Sequence, residues 1–423
     1  LAPAIVLLLV FTVWPIINTV RLASGVQRGV PGDHRRLIVE IAMKLTKMFR
    51  SSAAALGCLL ALISCRQGPD IASGPLAPVD VKVVDHLVAV LGHESCVLEL
   101  VDPASGEKVK SIRLAQPPNG MAVDGATAYV AEGGPCGAVE VVDLKSGALK
   151  RSFPAGHTPM SPVVRGGKLY VACRFDSRVL EMDAAAGTVL NSWNVPREPV
   201  ALAVSPDGRK IWAAGHLPAG AADGDFTAAA LTLVEDGKAV HFPLSNGTQG
   251  VRGMAISPDG RYLAVAHVLS RYQVPTTQLD RGWMNTNAVT VINTAEPDKP
   301  HPVLLDDPDA GAANPWGVSF SEDGGKLFVT HAGTHELSVI DFPALLERMK
   351  REDRSNEPVS ERLGFLHGLR TRIALPLNGP RSVASDGKNV TTRMDGYEET
   401  GAGNAGLNVG RQDWTTGTLA LGG

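Results

Sequence analysis

Apolar and polar residues alternate with period two along much of the chain, in short runs closed by an aspartate. Val97 to Asp102 reads VLELVD, Val139 to Asp143 VEVVD, Val179 to Asp183 VLEMD and Leu337 to Asp341 LSVID. A period of two puts one face of a strand in a core. An Asp-x-x-x-Gly turn follows at Asp102 to Gly106, Asp143 to Gly147 and Asp183 to Gly187, and then a more polar strand such as Val109 to Leu114. Ahead of each run stands another strand phrase: ATAYVAE (Ala126 to Glu132), GGKLYVAC (Gly166 to Cys173), DGRKIWAAG (Asp207 to Gly215), DGRYLAVAH (Asp259 to His267) and DGGKLFVTH (Asp323 to His331). It is entered from a first strand, such as Ala201 to Val204, through Ser205-Pro206-Asp207-Gly208. That turn recurs at Ser257 to Gly260 and, with Glu322 for proline, at Ser321 to Gly324. Proline presets φ and Asp-Gly reverses the chain, so each is a hairpin signal.

Aligning the second strands on Val88, Tyr129, Tyr170, Trp212, Ala264, Phe328 and Thr391 gives steps of 41, 41, 42, 52, 64 and 63 residues. A sheet of four such strands cannot bury both faces alone; packing copies around an axis solves that. The expected fold is therefore all-β, a seven-bladed β-propeller of four-stranded antiparallel blades over residues 79–390. After Val390 the strand phrase dissolves into Thr391-Thr392-Arg393-Met394, so 391–423 reads as a degenerate last blade or a truncated tail. The seventh blade, from Gly379, is expected to be ragged and still to meet the first near Val81 to Val84.

Three copies carry extra residues, and insertions on a regular scaffold are where function concentrates. Two of them, His216 to Phe226 and His267 to Asn287, join second to third strands and share a face, the upper one, with the blade-connecting loops. The third follows Asp341 and is expected on the opposite face, with short helical turns at Leu345 to Lys350 and Glu361 to Leu366. On the upper face Arg271, Arg281, Trp283, Trp316, Asn314 and Arg252 combine guanidinium forks, indole surface and an amide, a set suited to a planar anion. The competing role for the indoles and arginines is packing a loop and bonding carbonyls. His267 and His331 end equivalent strands on neighbouring blades, with His216 one residue off the same place, and are the candidate metal ligands. The carboxylates Asp223/Asp225 and Asp306/Asp307/Asp309 are a weaker Ca²⁺ candidate.

Of the 423 residues, 44% are apolar and 20% charged, with a net charge of −3 and no strongly basic stretch, which argues against nucleic acid as a partner. There is no C-x-x-C, P-loop, G-x-S-x-G or H-E-x-x-H, so no catalytic residue and no cofactor is assigned. Residues 1–42 hold an apolar segment, Ala2 to Val20, read as an upstream or misjoined piece or else as a membrane anchor. From Met43 the chain reads as a signal peptide, 43–64, with Lys44, Lys47 and Arg50 before a short apolar stretch. Cys96 and Cys136 fall at matching places in adjacent repeats and are either a disulfide or two reduced thiols.

Leu62-Ile63-Ser64-Cys65 resembles the bacterial lipobox. The resemblance implies lipidation at Cys65, a tether over 65–78 and a membrane association through lipid. The repeats resemble the YVTN-type β-propeller of bacterial and archaeal surface proteins. Gln278 to Val289 and Ala313 to Leu346 look like an exported subfamily often continued by a di-haem cytochrome c peroxidase-like domain; no C-x-x-C-H occurs in this sequence. The function these features imply is that of a non-catalytic exported lipoprotein at the cell envelope. It would act as a binding or docking module for a protein or a small anionic ligand on the upper face, accessory to periplasmic redox proteins. The alternative is a propeller-type enzyme, either a redox subunit or a lactonase-like hydrolase, with its site on that face.

Overall fold

The alternating runs form strands where their period requires them. The computed structural model describes residues 76–103, 105–221, 223–272, 284–352, 359–375, 378–385, 390–395 and 407–409. All belong to the unit Ala72–Gly423. Residues 1–42, the expected signal peptide at 43–64, Cys65 and most of the expected tether and of 391–423 lie outside the described residues.

Blade one is the antiparallel sheet Pro78–Val84, Leu87–Gly92, Val97–Val101 and Lys108–Arg113, paired in chain order. Five more four-stranded sheets repeat that order. Their inner strands are Pro118–Asp124, Pro159–Arg165, Pro199–Val204, Thr248–Ile256 and Pro315–Phe320. Among the described residues the four-stranded blades number six, which corrects the expectation of seven. The described part of the last copy of the repeat makes a three-stranded sheet, Asn378–Ser385, Val390–Asp395 and Leu407–Val409. The residues after Val390 lack the V-x-V-x-D phrase that closes the earlier copies.

Each core lies between neighbouring sheets rather than within one. Leu91, Leu98 and Ile112 of blade one pack on Met121, Val130 and Val142 of blade two. Phe328, Leu337 and Ile373 of blade six pack on Val383 and Val390, and Ala384 packs against Val81, Val88 and Val90 of blade one. The three-stranded sheet thus joins the sixth blade to the first.

The hairpin turns show why their residues recur. Ser205 Oγ donates to Asp207 Oδ1 at 2.5 Å and accepts from Lys210 N at 2.9 Å. Ser257 with Asp259 and Ser321 with Asp323 repeat both bonds, so serine and aspartate satisfy the turn that glycine reverses.

The insertion after Asp341 forms a helix, Phe342–Glu352, and a single 3₁₀ turn, Val359–Glu361. Phe342 and Leu345 of the helix, with Phe365 and Leu366 beyond it, bury themselves against blades five and six. Cys96 is buried, Cys136 is exposed, and both are free thiols.

Candidate functional site: an arginine–tryptophan wall in the central channel

Five of the inner strands show a register shift within their first residues, and each opens on a proline. The next residue faces the channel: Val79, Asn119, Met160, Val200 and Trp316, with Arg252 and Arg381 at the same place in the remaining two strands. The residue after it is small wherever the neighbouring strand crosses close. A Cβ on Gly253 would stand 2.2 Å from the Trp316 carbonyl oxygen, and one on Gly317 would stand 2.9 Å from Arg381 O. Glycine there lets blades five, six and the three-stranded sheet converge.

The cavity enclosed by these strands measures about 160 Å³, below the ~300–1,000 Å³ of drug-sized sites. Its wall is asymmetric. The Arg252 guanidinium lies 4.3 Å from the Trp316 ring centre, and that of Arg381 lies 5.2 Å from the same ring. They reach the indole from the blade before it and the sheet after it. Desolvation, then the charges of Arg174 and Arg381, hold the Arg252 guanidinium below the ordinary arginine value.

Most other polar side chains on the wall are committed to holding the ring. Asp80 Oδ2 accepts from Met121 N at 2.9 Å, and its Oδ1 accepts from Ser382 Oγ at 2.9 Å and from Lys82 Nζ at 2.8 Å. Ser161 Oγ accepts from Leu202 N at 3.0 Å. The Asn119 amide donates to Gly133 O and Pro159 O. Beside Arg252, Arg174 is paired with Glu198 at 2.9 Å.

Of the residues proposed from sequence, Arg252 and Trp316 meet in the channel. Asn314 sits just above, exposed, with its backbone N–H donating to Asn287 Oδ1 at 3.1 Å. Arg271 is elsewhere: its guanidinium points into the sixth-blade insertion, toward Ser360 O at 3.4 Å and Glu361 Oε1 at 3.8 Å, beside a separate cavity of about 240 Å³. Arg281 and Trp283 lie outside the described residues.

His267 and His331 end second strands as expected, but both imidazoles are buried inside their blades. His267 Nε2 lies 2.6 Å from Thr290 Oγ1. His331 lies 3.0 Å from Ala312 O through Nδ1 and 2.7 Å from Ser338 Oγ through Nε2. Burial pushes His267 down to about 4 and His331 down to about 3. No cluster of three His, Cys, Asp or Glu suited to a metal occurs among the described residues. Asp306 accepts from the Asn287 and Ala312 amides and Asp307 pairs with Arg370 and Arg372, so these two carboxylates close a loop.

Arg381 went unnoticed in the sequence. Its signal was present: Pro380-Arg381-Ser382 repeats the proline, channel residue and small residue of Pro315-Trp316-Gly317 and Pro159-Met160-Ser161.

The fold and this wall define the class, a β-propeller with a cationic, indole-lined channel. No protein-family model matches the chain. It is 27% identical over 198 residues to hydrazine synthase subunit beta of Kuenenia stuttgartiensis, a match covering 45% of this chain. The chain spans about half, 49%, of that relative's length. The solved structure of Kuenenia stuttgartiensis hydrazine synthase superposes with a TM-score of 0.69 at 21% identity, covering 78% of this chain and 95% of that one. At that identity the superposition shows the fold alone. The sequence match corrects the expectation of a non-catalytic binding or docking module. The relative is named as a subunit of a synthase.

Proposed function

We propose that this chain is the β-propeller subunit of a multi-subunit redox enzyme, exported and lipid-anchored at the cell envelope. Its upper face receives a protein partner and a small anion. The observation that carries the reading is the 27% identity over 198 residues with a synthase subunit. The surface agrees with it. Phe175, Phe226, Tyr272 and Met284 are exposed, and all four lie on loops joining second to third strands in blades three to five. An apolar arc on one face suits a protein partner.

The test is purification of the tagged chain from its own cells. The reading expects a fixed stoichiometry with a chain bearing a redox group, and turnover that falls when the propeller is stripped away and returns when it is added back. Elution as a lone chain, with the activity of the remaining fraction unchanged, overturns it. Export is tested separately. Cys65→Ala should leave unprocessed precursor in the membrane fraction, and an intact unmodified peptide across Ser64–Cys65 in the mature protein would exclude lipidation there.

A further inference from the structure

The two channel arginines differ from every other charged side chain on the wall. Among the described residues, neither guanidinium has a hydrogen-bond or ion-pair partner; each lies against the Trp316 ring. Lys82 is neutralised by Asp80 and Arg174 by Glu198. Two fixed positive charges therefore face the cavity with their N–H donors unspent. Placing like charges together in a partly desolvated channel is costly unless an anion joins them. The remaining channel-facing positions are Val79, Asn119, Met160 and Val200, three apolar side chains and one amide.

Resting on the small-anion part of the proposed function, we infer that Arg252, Trp316 and Arg381 form a binding site for a carboxylate with a short apolar or aromatic body. The guanidinium fork matches the two oxygens of a carboxylate, and the indole takes the body. A carboxylate has two sources, a free small acid or an acidic side chain offered by a protein partner.

The experiment titrates the full chain calorimetrically with benzoate, with benzamide and with a short glutamate-containing peptide. Benzoate should give a saturable isotherm that weakens as salt rises, and benzamide should give none. Arg252→Gln and Arg381→Gln should each weaken binding by about 10-fold or more, the loss of a charge-assisted bond. Trp316→Leu should weaken benzoate more than the peptide. Arg252→Lys, which keeps the charge and loses the fork, should fall between and serves if the glutamine variant does not fold. Peptide binding with the same arginine dependence, and none by benzoate, assigns the carboxylate to a partner side chain. No binding by either carboxylate, or binding untouched by both arginine substitutions, overturns the site. Such a result leaves subunit association intact, so failure here is distinct from failure of the co-purification test.

Discussion

At the scale of single residues, the buried polar groups set the protein's response to pH. His267 and His331 are held neutral, down to about 4 and about 3, by burial. Below the ordinary histidine value of about 6.5, the unfolded chain gains protons that the folded state refuses. Their stabilising contribution is thus complete at neutral pH and is lost as pH falls below that value. Glu132 acts in the opposite sense. Burial and then the charge of Glu140 raise its carboxyl to about 7, against an ordinary 4.5. Between those values the folded state keeps a proton that the unfolded chain has released, so stability grows as pH falls through that window. The wild type should lose thermal midpoint between pH 7.5 and pH 5, and Glu132→Gln should lose more, since the offset is gone. Melts of both proteins at both pH values check this; a shallower loss in the variant would refute the assignment. His331→Ala should cost about 2–4 kcal/mol in urea denaturation, because the buried Ala312 carbonyl and Ser338 hydroxyl both lose their partner.

At the scale of elements, the inner strands decide how closely the blades approach. Gly253 leaves no room for a Cβ against the Trp316 carbonyl, whereas one on Gly120 would meet Ser161 N at 3.2 Å. The first contact requires a backbone shift and the second only a small adjustment. Gly253→Ala should therefore cost roughly 2–3 kcal/mol, and Gly120→Ala less than about 1 kcal/mol. Urea midpoints compare the two directly; equal losses would mean that the strands yield more easily than their packing indicates. Displacing Trp316 should also weaken carboxylate binding in Gly253→Ala, though no charge is altered.

At the scale of the whole molecule, a ring stands or falls on its closure. Asp80 bonds blade one to blade two through Met121 N and to the three-stranded sheet through Ser382 Oγ. Ser161 makes a bond of the first kind only, to Leu202 N. Asp80→Ala should lower the thermal midpoint more than Ser161→Ala, since it also strips Lys82 of its counter-charge. A chain stopped at residue 377 removes the sheet packed on blades one and six, and uncovers Val81, Phe328 and Leu337. It should aggregate at concentrations where the full chain stays clear by light scattering.

The strand phrases, the Ser-x-Asp-Gly turns and the period near 41 were legible in the sequence, because they depend on local alternation and on φ preferences carried by proline, aspartate and glycine. Those local terms determined an all-β repeat protein by themselves. The number of complete blades was decided by tertiary pairing, since a strand exists only where a neighbour accepts its hydrogen bonds. The site divided along the same line. Arg252 and Trp316 were suspected from residue type. Their meeting with Arg381, and the departure of Arg271, His267 and His331 from the channel, depended on which way each side chain turned once the inner strands converged. Residues far apart in sequence become neighbours there only through closure of the ring, and no local pattern encodes that distance.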